Sequence, residues 1–201
     1  MGRARPQSLS DRLAPVTIHE QDVAERLRAL IRDVPDFPRP GIVFRDITVL
    51  LGDGPAFGAA ISALAAPYSD AGIALVAGIE SRGFILGGAV ADRLGSGFVP
   101  IRKEGRLPAE RISQAYSLEY GEAIVEIHAD AITAGQRVLI VDDLLATGGT
   151  AAATAALVDQ LGGAIAGFAF LVELSDLGGS AALRGRPYTA LLRMNSNGGI
   201  E

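Results

Sequence analysis

The chain contains no cysteine, which excludes disulfides and thiolate metal sites and leaves almost no room for a zinc centre. Histidine is scarce too. Its two copies, His19 and His128, stand outside every polar cluster in the sequence, so any chemistry has to work without an imidazole. No apolar run has the length of a membrane span and no leader-like stretch is present, so a cytoplasmic location and no membrane partner are expected. Positive charge is in deficit, with 18 Lys and Arg against 23 Asp and Glu for a net charge of -5. That sign argues against general nucleic-acid binding, and basic groups that meet phosphate must be local. No internal repeat is evident. What the chain does have is 201 residues, 49% of them hydrophobic, and 25 glycines. These suit one α/β domain with a full core and tight turns between strands and helices.

The most informative stretch is residues 138–150, Val-Leu-Ile-Val-Asp-Asp-Leu-Leu-Ala-Thr-Gly-Gly-Thr. Four apolar residues, Val138 to Val141, form the uninterrupted run of a strand buried on both faces, and they stop at two adjacent carboxylates. Ala146, Thr147, Gly148, Gly149 and Thr150 follow, small residues that let backbone N–H groups turn inward, and an Ala-rich helix is expected to Leu161. A phosphate fits such a turn at a helix N-terminus. Like charges repel, so Asp142 and Asp143 must serve something else: hydroxyls, a metal ion, or both. Phosphate beside hydroxyls and a cation describes a phosphorylated sugar. The stretch is neither a Walker loop nor a dinucleotide-binding glycine motif.

Other segments fit around it. Residues 1–18, rich in Arg, Pro and Ser, read as a mobile extension, and residues 19–33 as an amphipathic helix. Three prolines and a glycine within residues 34–47 forbid a helix, so an extended, stiffened loop is expected to present Phe37, Phe44 and Arg45. A helix is expected over residues 55–68. The runs 73–77 and 97–102 read as buried strands; the first leads into Glu80-Ser81-Arg82-Gly83 and a helix, the second into Arg102-Lys103-Glu104-Gly105-Arg106. Both turns are candidate anion sites. Residues 107–127 read as a two-stranded flap carrying Tyr116-Ser117-Leu118-Glu119-Tyr120-Gly121. A strand over 164–172 ends at Glu173-Leu174, a short capped helix spans 175–183, a last strand 188–192, and a frayed tail 195–201.

Residues 142–150 closely resemble the ribose-phosphate signature of the type I phosphoribosyltransferases. The segment Phe37-Pro38-Arg39-Pro40-Gly41-Ile42-Val43-Phe44-Arg45-Asp46 resembles the base-binding hood of adenine phosphoribosyltransferases, and Tyr116 to Gly121 resembles their flexible-loop motif. The resemblance implies that Asp142 and Asp143 hold the ribose hydroxyls and that Ala146 to Thr150 hold the 5′-phosphate of phosphoribosyl pyrophosphate. Ser81, Arg82, Arg102, Lys103 and Arg106 become pyrophosphate contacts. Phe44 would stack on adenine, backbone groups of Val43 and Arg45 would read its edge, and Leu174 would cover its other face. Glu119 would handle the proton on the base while Tyr120 shields the site, and Arg82 would neutralise the leaving group. Mg²⁺ is expected to bind through the substrate, without a strong protein ligand. The family also often carries a non-proline cis peptide in the pyrophosphate loop, whose place here is Glu80-Ser81.

The expected architecture is an open parallel sheet with helices on both faces, in a single domain over 19–201. Its hood covers about 19–50 and its flap about 103–127. The strand ends at Glu80, Arg102, Asp142 and Glu173 should share one edge. The implied reaction moves the 5-phosphoribosyl group to N9 of adenine, giving AMP and pyrophosphate, in a homodimer. The rivals are a transferase for xanthine, guanine or hypoxanthine, and a regulator on the same fold that senses phosphoribosyl pyrophosphate and binds nucleic acid. The hood and flap motifs favour adenine, and the charge disfavours the regulator.

Overall fold

The computed structural model describes residues 20–118 and 121–197. Helix α1 (Glu20–Ala29) is shorter than the periodicity predicts, because Arg32–Val34 leaves it as strand β1 and pairs antiparallel with β2 (Phe44–Asp46). The expected extended loop is therefore closed at its base as a hairpin. Its Pro-rich tip is folded back: Asp36 and Gly41 take φ of 56° and 85°, and the Asp36 carboxylate accepts from the Gly41 N–H at 2.7 Å. Next come α2 (Thr48–Gly52) and α3 (Gly54–Ala65). The second carries proline in its first turn, and the Asp53 carboxylate caps it by accepting from the Ala56 N–H at 2.9 Å.

The remainder runs β3 (Leu75–Ile79), α4 (Arg82–Leu94), β4 (Gly97–Lys103), β5 (Arg111–Leu118), β6 (Gly121–His128), β7 (Arg137–Leu145), α5 (Gly149–Gln160), β8 (Ala164–Leu174) and β9 (Tyr188–Met194). These strands form one seven-stranded sheet in the order β5-β6-β4-β3-β7-β8-β9. The five strands from β4 to β9 in that order are mutually parallel, whereas β5 and β6 pair antiparallel and β6 joins β4 at Arg102↔Glu126. The sheet is thus mostly rather than wholly parallel. A short connection can join β5 to β6 only as a hairpin, and that hairpin supplies the antiparallel edge.

Burial explains why the parallel strands read as unbroken apolar runs. One face packs Val76, Leu139, Val141, Ala169 and Leu171 against α1, α3 and α4; the other packs Ala77, Ile140, Phe168 and Phe170 against α5 and β6. Helix α4 lies unusually close to β3. A Cβ on Gly87 would stand 3.1 Å from the Gly78 Cα, and one on Gly78 would meet the Phe98 ring at 2.5 Å and the Gly83 carbonyl at 2.7 Å.

Beyond β8 the expected capped helix is absent. Two 3₁₀ turns, Ser175–Leu177 and Gly179–Leu183, take its place without side-chain caps, separated by Gly178 at φ 64°. Asn195 and Ser196 depart from a frayed tail as well, because hydrogen bonds pin them to Arg45 and Asp176. No helix among the described residues is long and apolar enough to cross a membrane.

Candidate active site

Strands β3 and β7 are neighbours, yet β3 leads through α4 to β4 on one side and β7 leads through α5 to β8 on the other. A crevice opens at the C-terminal end of the sheet where the winding direction reverses, which is where open α/β sheets take ligands. Pairing of β7 with β3 ends at Gly78↔Val141, while pairing with β8 continues to Leu145↔Glu173. Asp142 and Asp143 are the first residues of β7 beyond its last β3 partner.

The acids are crowded. Asp143 is buried, Asp142 half-buried, and the Asp143 N–H donates to Asp142 Oδ1 at 2.9 Å. Gly83 makes room for the pair, because a Cβ there would stand 2.8 Å from Asp142 Oδ1 and 3.2 Å from the Val141 carbonyl. Burial, and then the charge of Asp143, push the Asp142 carboxyl well above the usual carboxylate range. Burial also raises Asp143, against the pull of the Arg82 guanidinium.

Downstream of the acids, Gly148 sits at φ 79° as the residue before α5, and no side chain caps the helix, leaving its first N–H groups open. Asp142 and residues 144–151 line a cavity of about 70 Å³ there. One water needs only about 10–15 Å³ on this measure, so the space suits a larger oxyanion such as phosphate. The loop has a buttress that sequence reasoning missed. A Cβ on Gly179 would collide with the Ala146 carbonyl, and one on Gly148 with the Gly179 carbonyl. The chain carries no local signal for this, since the two glycines are far apart in sequence.

Ser81 opens α4 at φ 76° without a side-chain cap bond. Among the described residues the cis peptide is Phe37–Pro38 and not the expected Glu80–Ser81; the sharp turn into α4 is made instead by the left-handed backbone of Ser81. Arg82 joins three parts of the crevice. Its Nε lies 2.7 Å from Asp143 Oδ2, and its guanidinium stands 4.7 Å from the centre of the Phe44 ring.

The basic run after β4 comes to the same edge with a partner of its own. Arg102 and Arg106 both close on Glu80, at 3.4 and 2.5 Å, and the Lys103 N–H donates to Glu80 at 2.9 Å. Burial pushes the Glu80 carboxyl up, but the Lys103 N–H, Arg106 and Arg102 outweigh it and leave the carboxyl below its ordinary value. The sequence places Glu80 at this edge but gives no sign that it would pair with the basic run. Glu104, the one acid within the basic run, is exposed. The side chain of Lys103 is exposed too.

The hood forms the far wall. Phe44 meets Phe37 edge-on at 5.1 Å, and Gly41 to Arg45, Arg82, Ala146, Thr147, Leu174, Leu177, Ser196 and Asn197 enclose about 420 Å³. Arg45 behaves differently from its expected presentation in the loop: its side chain is buried, leaving only its backbone at the hood. Glu173 is buried and accepts from Tyr188 at 3.0 Å and Arg193 at 3.2 Å, a structural support beneath Leu174. Glu119 and Tyr120 lie outside the described residues, as does His19. His128 bonds the Pro108 carbonyl at 2.9 Å, at the root of the β5–β6 hairpin. Among the described residues no group of three or more His, Asp or Glu could hold a metal ion.

A phosphate-sized loop, paired acids and a basic edge at the switch point of such a sheet define a phosphoribosyl transferase domain, and the model of that family matches residues 50–186. An adenine phosphoribosyltransferase from Chelativorans sp. is 55% identical over 164 residues, covering 82% of this chain and 91% of the relative. Among solved structures, the adenine phosphoribosyltransferase of Rhodothermus marinus is 50% identical with a TM-score of 0.84, covering 87% of this chain and 99% of that one. The Saccharomyces cerevisiae enzyme, solved with an imino-altritol bisphosphate and adenine, is 39% identical with a TM-score of 0.81, covering 86% and 99%. The chain belongs to the adenine phosphoribosyltransferase family.

Proposed function

We propose that this crevice transfers the 5-phosphoribosyl group of phosphoribosyl pyrophosphate to N9 of adenine, giving AMP and pyrophosphate. The observation that carries the reading is the position of Arg82, 2.7 Å from Asp143 and 4.7 Å from the Phe44 ring, which puts sugar acids, leaving-group loop and hood within one substrate's reach. In this reading Ala146, Thr147, Gly148, Gly149 and Thr150 receive the 5′-phosphate, and Asp142 and Asp143 the ribose hydroxyls. Ser81, Arg82, Arg102, Lys103 and Arg106 face the pyrophosphate. Phe44 and Leu174 hold the two faces of the base while the backbone at Val43 and Arg45 reads its edge. The names of the relatives, and the adenine bound to the yeast one, support adenine over other purines.

In the transfer, the bond from C1′ to the pyrophosphate oxygen breaks as the bond from C1′ to N9 forms. The N9 proton leaves to a base, the role proposed for Glu119, with Tyr120 shielding the site from water. Negative charge grows on the departing pyrophosphate, where Arg82 neutralises it, and the phosphate loop holds the sugar in line. The acid pair fits a divalent cation bound through the substrate, because a nearby positive charge relieves the penalty that burial and Asp143 impose on Asp142. Magnesium, when bound, supplies further charge to stabilise the leaving group. A cytoplasmic homodimer is the assembly we infer, and light scattering on the purified protein checks it.

The deciding assay incubates the protein with Mg²⁺, phosphoribosyl pyrophosphate and each purine base in turn. AMP from adenine, at a rate well above any other monophosphate, is expected. No monophosphate from any base overturns the enzyme reading, and faster turnover of guanine overturns the assignment of the hood.

A further inference from the structure

Strand β9 is the edge of the sheet, and the chain beyond Met194 could have run into solvent. Residues 195–197 instead turn back across the base pocket. The anchor on one side is Arg45, with 3% of its surface exposed. Its Nη2 donates to the carbonyls of Asn195 and Ser196 at 2.7 and 2.9 Å, and its Nη1 lies 2.6 Å from Asp33 Oδ1. Arg45 Nε has no hydrogen-bond partner among the described residues, so the two carbonyls and Asp33 are the compensation that keeps this buried guanidinium inside. On the other side Asp176 accepts from the Ser196 N–H at 2.8 Å and from its hydroxyl at 2.5 Å. Those two bonds hold the Asp176 carboxyl below its ordinary value.

The two anchors belong to opposite walls. Arg45 follows Phe44 in β2, and Asp176 stands two residues after Leu174 at the end of β8. Ser196 and Asn197 line the same cavity as Phe44 and Leu174. We propose that residues 195–197 are a cross-tie of the base pocket: clasped by Arg45 and Asp176, they fix the gap between the Phe44 and Leu174 walls and thereby the fit of the purine. Arg45, Asp176 and Ser196 are then positioning residues, acting on the base through the walls that they join. The proposed phosphate and pyrophosphate contacts lie at the head of α4, at and beyond the end of β4, and in the loop before α5, and none of the clasp's hydrogen bonds goes to them. Its effect should therefore fall on the base alone.

The proposal rests on the pocket being the base site, and the test separates the two. In Asp176→Ala the KM for adenine should rise about fivefold or more, with kcat and the KM for phosphoribosyl pyrophosphate within about twofold of the parent. Ser196→Ala should show a smaller shift of the same kind, and Ser196→Thr, which keeps the hydroxyl, should restore the parent value. Independently of turnover, adenine added to the parent protein should slow amide hydrogen exchange at Ser196, and Asp176→Ala should accelerate that exchange about tenfold. A parent that makes no AMP but still shows slower exchange with adenine removes the transfer reading and leaves the cross-tie standing. Unchanged adenine KM in both alanine variants, or equal rises in both KM values, overturns the cross-tie. So does exchange at Ser196 that adenine does not slow.

Discussion

At the scale of single residues, Asp142 shows how a site is stabilised for its ligand and not for itself. Its carboxyl is pushed up by burial and by Asp143, so the native state holds the proton to higher pH than the unfolded chain, whose value is roughly 3.9. For a group raised in this sense, the stabilisation is complete below the unfolded value and is lost as pH rises through the folded one. Ligand-free protein should thus lose stability on this account as pH rises above the unfolded value. Asp142→Asn removes the dependence. Thermal melts from about pH 4 to 8 should show the variant gaining on the parent as pH rises, with each kcal/mol worth about 2–4 °C in a domain of this size; a constant difference across the range would contradict the assignment. Loss of a hydrogen bond to a charged acceptor is worth about 1.5–3 kcal/mol, so kcat/KM should fall roughly 10- to 150-fold in the same variant. The sequence made the pair of acids conspicuous. It could not show that Arg82 would lean on one of them and on Phe44 at once, because that meeting is a property of the sheet and not of any segment.

At the scale of elements, the strands could be read directly and the connections could not. Runs such as Val138 to Val141 are apolar because both faces are covered, and period and burial agree there. The hood hairpin was missed because β1 and β2 are each three residues long, too short to show alternation beside so many prolines. The turns after Leu174 were misread as a capped helix, since Gly178 and Gly179 look like flexible punctuation when the first supplies a left-handed turn at φ 64° and the second a close approach. Gly179 makes this testable. Its missing Cβ lets the turn pack on the phosphate loop at Ala146 and Gly148, so Gly179→Ala must push that loop out of place. Overpacking of this kind costs about 1–3 kcal/mol. The KM for phosphoribosyl pyrophosphate should rise by about tenfold or more while the KM for adenine changes little. Steady-state kinetics with each substrate varied separately would expose a loop that is not so supported, by an unchanged KM for the phosphorylated one.

At the scale of the whole molecule, the two apolar layers carry stability and the sheet's C-terminal edge carries chemistry, and the two are largely separable. Ile140 is fully buried in β7 on the α5 side. Ile140→Ala should cost about 2–5 kcal/mol, lowering the melting temperature several degrees while leaving both KM values near those of the parent below the transition. A parallel rise in KM would mean that the core and the crevice are not independent. The overall architecture was the most legible level, because alternation of strand and helix with unalternating strands leaves few topologies. The two strands of the flap were legible as well; their joining the sheet at β4 and the docking of the tail escaped, being consequences of which strands happen to neighbour one another.

The seam where Gly78 and Gly87 let α4 rest on β3 has a last consequence. At these two glycines main chain approaches main chain with the Phe98 ring beside it, which holds α4, and with it Arg82 and Ser81 at its head, close against the sheet. The opposite side of the crevice is assembled from a small hairpin, two short turns and a stretch of tail held by hydrogen bonds. Adjustment to a different purine would have to come from that assembled side, while the half proposed to take the pyrophosphate is held to the sheet.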